Sequence, residues 1–339
     1  MNYSEYMNQV LKTLHSLRED FEFSTRVVLK NNDVSLDALM ARVPGQNLIP
    51  TLYFQNLYEE FTDFYDENPE YLPIQCQRIL DRIDPDRTPV PDHYLLDFSD
   101  FEDLKDRIVL RIISREMNPL LLNDVPHRDY LDLSIVYYIL LDTKEDLRHE
   151  MATALIHNSN LECWGTTEEE LYRLAVSNTP KLLPPRIRDI ESIIGEILCS
   201  GSFRNNGEDP EEDDLLFSDT DEDASAAGEM IRHVCSSVTD HCPMYVLSNP
   251  TRLYGAAAIL YPGLLEKYRE ELGCGFFVLP SSVHETILLP FHDGLKPEHS
   301  QIEELRDLVR QINEENVSPI ERLTDSVYTY DSPEKGLCL

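Results

Sequence analysis

An α+β architecture, a mixed or antiparallel sheet with flanking helices, follows from three features of the 339-residue chain. Amphipathic stretches of helical period stand near both ends and between apolar runs. Asp132 to Asp142 (DLSIVYYILLD) is dense in β-branched and aromatic residues and reads as a central strand buried on both faces. Strand and helix signals occur in both halves at irregular intervals, too irregular for a doubly wound fold.

The elements follow in chain order. Residues 1–18 repeat apolar positions at helical spacing (Tyr3, Met7, Val10, Leu11, Leu14, Leu17) and predict a helix. Phe21 to Leu29 and Val34 to Leu39 flank Asn31-Asn32-Asp33, residues tolerant of positive φ, which predicts a hairpin. Pro50 opens a helix expected to run through Phe64, with Leu52, Tyr53, Leu57 and Phe61 on one side. Another is expected between Pro69 and Arg82, interrupted near Pro73, before a connection marked by Pro85, Pro89 and Pro91. Segment 98–122 reads as helical or mixed, with Asp100 and Asp103 suited to a helix N-terminus. Met151 to His157 is expected to neighbour the central strand. Thr166 and Thr167 with Glu169 and Glu170 form overlapping capping boxes for a helix to about Leu182, stopped by Pro184-Pro185.

In the last third, Tyr245 to Leu247 reads as a strand and Gly255 to Leu272 as a helix ended by Gly273 and Gly275. Two strands, Phe276 to Leu279 and Val283 to Leu289, flank Pro280-Ser281-Ser282. Ile302 to Ile312 is a final amphipathic helix and Val327 to Tyr330 a short strand.

Charge sets the class of partner. The chain carries 29 basic and 63 acidic residues, net −34, so its mean field repels phosphate backbones and anionic lipid; neither nucleic acid nor membrane is expected as a partner. With 42% hydrophobic and 9% aromatic residues it still has material for a sizeable core. Residues 204–223 hold ten acidic groups and one basic group, net −9, and the remainder is still acidic at −25. Self-repulsion and scarce apolar surface predict no fixed structure from Asn205 to Ala227. One sheet-centred domain is preferred, with 1–203 and 227–339 as its parts and 204–226 as an acidic, disordered insertion; two independent domains are the alternative. No apolar run approaches the roughly 20 residues that span a bilayer. Residues 1–18 show no basic segment followed by an apolar one, and the seven cysteines are scattered without a C-x-x-C, so a cytoplasmic location is expected.

Several phrases occur together in order: Val125 to Leu133 (VPHRDYLDL), Trp164-Gly165 with the helix through Asn178-Thr179-Pro180, Met244 to Asn249 (MYVLSN), Gly255-Ala256-Ala257, Leu279 to Glu285 (LPSSVHE), and Leu323 to Asp331 (LTDSVYTYD). This set resembles a large bacterial family known as a domain of unknown function, of the DUF5688 type. A related family of unknown function is similar over the central strand and the Trp-Gly helix. The resemblance covers nearly the whole chain except the acidic stretch, implies no activity, and implies one folded unit across residue 205.

Two clusters have residue types that could carry chemistry. Ser281 and Ser282 stand in a turn ahead of His284-Glu285, so a hydroxyl could lie near an imidazole. Position 288 is leucine, so no H-E-x-x-H zinc helix exists, and on a regular strand His284 and Glu285 would face opposite ways. The plainer reading has the serines bonding the turn backbone and His284 anchoring the strand end. His127-Arg128-Asp129 with Asp132 gathers an imidazole, a cation and two carboxylates before the central strand; Arg128 and Asp132 could share a face, and a local ion-pair cluster is the bland alternative.

Other signals are weaker. Cys163 is bracketed by acids that oppose thiolate formation, and Trp164 reads as a core or helix-start anchor. His233, Cys235, His241 and Cys242 fit no common zinc spacing. Neither phosphate-binding glycine loop is present, although Gly255-Ala-Ala-Ala after a strand weakly resembles a strand-to-helix anion site; close packing explains it more simply. No cofactor and no metal is expected. The leading expectation is a non-enzymatic protein working through protein–protein contacts, with a basic protein as partner. The rival is a hydrolase-like enzyme using a pocket of His284, Ser282, His127 and Asp132. A third reading, a nucleic-acid mimic, needs carboxylates on a rigid face, which a disordered segment does not provide.

Overall fold

The computed structural model describes residues 1–42, 51–65, 68–84, 96–141, 153–190, 243–280, 282–291 and 298–339. They form an α+β fold whose described strands pair antiparallel in three sheets. The chain divides into two compact units, Met1–Phe98 and Ser99–Leu339, just beyond the proline-marked connection. The expected boundaries of the acidic insertion at 204 and 226 lie outside the described residues, as does the segment itself.

The first unit opens with α1 (Tyr3–Leu17). Asn2 caps it by accepting from Glu5 N, and Glu5 reaches back to Asn2 N, so two otherwise orphaned donors are satisfied. Strands β1 (Glu22–Leu29) and β2 (Ser35–Arg42) form the expected hairpin around Asn32 and Asp33, both at positive φ (60° and 52°). Leu52 and Tyr53, expected on a helix, instead form β3 (Leu52–Tyr53) beside β2, and α2 (Phe54–Tyr65) begins after them. A 3-10 turn over Pro69–Tyr71 leads into α3 (Leu72–Ile83), with Pro73 in its first turn, where a missing N–H costs nothing. Tyr6, Val10 and Leu14 recur every four residues along α1 and join Phe23, Phe54, Phe61 and Ile79 in one apolar cluster. Inside it the Tyr6 hydroxyl lies 2.9 Å from Leu57 O and 2.8 Å from Gln75 Oε1, with one proton to share between them.

The second unit begins with α4 (Phe101–Leu104), a 3-10 turn, β4 (Ile108–Ser114) and α5 (Pro119–Asp124). The segment read as helical or mixed thus holds a seven-residue strand buried throughout. Its β-branched composition and its pairing with the central strand override the weak helical spacing. Strands β5 (His127–Tyr130) and β6 (Leu133–Leu140) make a tight hairpin, and β7 (Thr153–Leu155) pairs with the far end of β6. As expected, β6 is the fully buried centre, with β4 on one side and β5 and β7 on the other.

Helix α6 (Asn158–Trp164) ends at Gly165, whose φ of 67° suits a left-handed cap. Trp164 packs against Phe101, with ring centroids 5.6 Å apart. Helix α7 (Glu168–Leu182) follows, capped by Thr167 as its sequence predicts. Strand β4 lies at the end of its sheet, and an open edge is a template for unwanted pairing. Side chains of α7 occupy it: Asn178 Nδ2 donates to Lys105 O (2.9 Å) and Ile108 O (3.2 Å), and Leu110 N donates to Thr179 Oγ1 (3.0 Å). The Asn-Thr pair therefore replaces a neighbouring strand.

The remaining sheet runs in the order β13 (Leu337–Cys338), β12 (Tyr328–Tyr330), β10 (Phe276–Pro280), β11 (Thr286–Pro290), β9 (Tyr245–Ser248) and β8 (Arg186–Asp189). The helix expected from Gly255 to Leu272 is broken. A 3-10 turn over Gly255–Leu260 ends before Pro262 and Gly263 (φ 73°), and α8 (Leu264–Leu272) starts afresh. The strand expected from Val283 starts only at Thr286, because residues 282–285 turn on themselves. Helix α9 (His299–Asn316) lays Leu305, Val309 and Ile312 on Val246, Ile287 and Leu289, covering one face of this sheet.

Thr179→Val keeps the shape of the side chain but leaves Leu110 N without an acceptor. The expected loss in urea unfolding free energy is about 1–3 kcal/mol, with Thr179→Ser close to wild type; equal stability of all three would show that the β4 edge is not held this way.

Candidate functional site

The residues singled out from the sequence separate into distinct networks. In β5, His127 is exposed, and its Nδ1 lies 3.1 Å from Val125 O. Arg128 grips Glu168 through Nε (3.1 Å) and Nη2 (2.9 Å), also pairs with Glu169, and lies over the Tyr172 ring with 4.0 Å to its centroid. Tyr137 also donates to Glu168; burial and then that carboxylate push its phenol well above the ordinary range. Asp129 faces Arg115 (3.2 Å) and accepts from Ser134 Oγ (3.3 Å).

Asp132 goes elsewhere. It occupies the β5–β6 turn after Leu131, a leucine held at φ 57°, a conformation that costs an L-residue about 1–2 kcal/mol. Its carboxylate accepts from Thr324 Oγ1 (2.8 Å), Ser326 Oγ (2.8 Å) and Tyr328 OH (2.6 Å). The chain bends at Asp325, where Ser326 N donates to Thr324 Oγ1, and the alternate residues 324, 326 and 328 all turn their hydroxyls to this carboxylate. Arg128 and Asp132 do not share partners: the first binds α7 and the second binds the approach to β12.

The 282–285 turn has its own network. Ser282 Oγ accepts from His284 N (3.1 Å), and Ser248 Oγ donates to His284 O (2.7 Å). The imidazole has Nδ1 3.0 Å from Arg252 O, Nε2 3.7 Å from Glu321 Oε1, and its ring stacked on Tyr254 at 6.3 Å. Glu285 precedes β11, half-buried, and its carbonyl accepts from Ser282 N at 3.5 Å. Ser281 lies outside the described residues, as do His233, Cys235, His241 and Cys242. Among the described residues no group of three or more His, Cys, Asp or Glu is placed to hold a metal ion. Gly255 lets the 3-10 turn approach this region closely. A Cβ there would strike His284 O and Ser248 Oγ and come within 2.9 Å of Ser248 Cα.

One polar residue stands out that the sequence reading passed over. Arg111 lies in the middle of β4, paired in register with Val136, which also pairs with His127. Tyr137 points to α7, so Val136, Arg111 and His127 belong to the opposite face. Arg111 is 9% exposed and packs against Tyr254 (4.6 Å to the ring centroid) and Tyr138 (5.7 Å). The Tyr254 hydroxyl in turn meets Thr153 Oγ1 at 2.8 Å. The clue was an arginine inside Ile108 to Ile113, visible only once that run is read as a buried strand.

The geometry defines an α+β protein in which Arg128, Asp129, Asp132, Ser282 and His284 are tied into internal hydrogen-bond and ion-pair networks. A family model matches residues 3–332, and the chain belongs to that family, a family of unknown function, DUF5688. Searches of curated proteins and of solved structures return no match. Two segments that carry the family resemblance, around Asp132 and around Tyr328, meet in the carboxylate–hydroxyl network.

Asp132→Ala strands three hydroxyls and is expected to lower the unfolding free energy by about 3 kcal/mol, since bonds to a charged acceptor are the strong ones; a loss no larger than that of an exposed Asp→Ala control would remove Asp132 from this role. A second outcome concerns alkaline pH. Burial, and then the hydrogen bond to Asp132, raise the Tyr328 phenol far above its ordinary 10.0. Its contribution is complete below pH 10 and is lost as pH rises above that value, because the unfolded chain ionises first. Urea unfolding series above pH 10 are therefore expected to show a shallower decline in Tyr328→Phe than in wild type.

Proposed function

We propose that this protein is a non-enzymatic binding protein whose acidic surface receives a basic protein partner. The observation that carries this reading is the net charge of −34, of which −9 falls within residues 204–223. Such a field accelerates encounter with a positively charged partner and selects against acidic ones. The described helices add to it: α9 presents Glu303, Glu304, Asp307, Glu314 and Glu315 against Arg306 and Arg310.

The arrangement of the candidate groups favours contact over catalysis. A hydrolytic nucleophile needs its hydroxyl on an imidazole nitrogen. Ser282 Oγ instead accepts from the backbone N–H of His284, and both Asp132 oxygens receive hydroxyls from the protein itself. No convergence of Asp132 with His284 is needed to account for either group. Among the described residues no helix is long and apolar enough to cross a membrane, which is consistent with a partner met in solution.

The test compares full-length protein with a variant in which the ten acidic residues of 208–223 become Asn or Gln. Partners recovered at low salt are expected to be basic, to dissociate as salt rises, and to be lost from the neutralised variant. An unchanged partner set, or one resistant to salt, would overturn this reading.

A further inference from the structure

The second unit contains a buried cation for which the described residues supply no anion. A guanidinium carries five N–H donors and is charged at any physiological pH. Among the described residues Arg111 meets only tyrosine hydroxyls, that of Tyr138 from Nη1 at a long 3.3 Å and that of Tyr254, and its Nε is buried with no hydrogen-bond partner. No carboxylate among the described residues pairs with it. The ring faces of Tyr254 and Tyr138 also attract the charge, but neither their faces nor their hydroxyls reach Nε. Tyr254 does not serve as an internal phenolate near neutrality, because burial pushes its phenol up to about 12.

A second orphan lies in the same layer. Thr286 is fully buried and its Oγ1 has no hydrogen-bond partner. It pairs with Leu247 and alternates with Ile287, which packs on α9, so it faces away from α9. That is the face on which the Gly255–Leu260 turn rests, in contact with β9 and β11 on one side and β4 on the other. Arg111 Nε, a donor, and Thr286 Oγ1, which can donate or accept, are thus both unpartnered on strand faces that border this turn. Buried polar groups are normally partnered, and two exceptions that can both donate, one of them a full charge, call for an acceptor from outside.

We propose that this layer binds a small carboxylate monoanion, with Arg111 as its charge partner and Thr286 as a hydroxyl donor. The planar fork of arginine matches the two oxygens of a carboxylate. One cation flanked by uncharged hydroxyls balances one negative charge. A dianion would keep an excess charge inside a protein that is already strongly acidic. The site is separate from the acidic exterior, so its fate does not decide the proposed partner interaction.

The experiment is a thermal-unfolding titration of the full chain with acetate, and in parallel with inorganic phosphate, against chloride at constant ionic strength. Acetate is expected to raise the unfolding midpoint saturably. Arg111→Lys is expected to weaken the apparent affinity by on the order of 30-fold, whereas Arg173→Lys on the exposed face of α7 leaves it unchanged. Thr286→Val separates binding from folding: it is expected to raise the midpoint without acetate, by removing an unsatisfied hydroxyl, and to reduce the response to acetate. If Arg111→Lys does not fold, Thr286→Val still decides. No saturable response, or an equal response in wild type and Thr286→Val, overturns the site; a response to phosphate alone overturns the carboxylate assignment.

Discussion

A single carboxylate fixes how the C-terminal third meets the central strand. An ion removed from water is tolerated only where its oxygens are fully hydrogen-bonded, and Asp132 meets that demand with three hydroxyls spaced two residues apart. These bonds tie Thr324 to Tyr328, through a bend at Asp325, to one point just as β12 reaches β10. Asn313 extends the constraint to α9 by donating to Thr324 O (3.0 Å) and Asp325 Oδ1 (2.9 Å). The left-handed Leu131 that presents Asp132 is strained, and the network on its neighbour offsets that strain.

The layer between the two sheets follows a different rule. Gly255, Ala256, Ala257 and Ala258 are all buried, so the turn they form brings β4 close to β9 and β11 without side-chain bulk. Beside this thin spacer sits the longest side chain on that face of β4, Arg111. A structure needing only a filled layer would be better served by methionine or leucine at that place, since an apolar residue carries no desolvation cost. Aromatic rings soften that cost without removing it, and a charge retained there under such conditions is the physical signature of something it must hold.

Local rules made much of this architecture legible in the sequence. The apolar spacing of α1, the capping residues before α7, the Asn-Asn-Asp hairpin and the apolar run of β6 each rest on contacts within a few residues, and each stands as expected. The errors came where distant contacts decide. Ile108 to Ser114 resembles a helix until β6 pairs with it, and Leu52-Tyr53 joins β2 rather than the helix they precede. The sites divide in the same way. The Arg128 cluster is the ion-pair network that its residue types suggested, but its carboxylates come from α7, about forty residues on. Asp132 was recognised as a polar group of interest, yet its three donors lie almost two hundred residues away, beyond the reach of any spacing argument.

The charge balance gives the buried arginine its weight. With 63 acidic against 29 basic residues, the chain has more than two carboxylates for every cation. Two arginines close to it in the chain find them: Arg128 has two, and Arg115 has Asp129. In such a chain a substitution placing Asp or Glu opposite Arg111 is easily reached, and it would relieve the cost of an unpaired buried charge. The described surroundings instead hold two tyrosines, groups that can border an anion but cannot replace one. An acidic exterior and a guarded cationic interior then act together. The field outside turns away multiply charged anions, and the interior has room in its charge balance for one negative charge and no more.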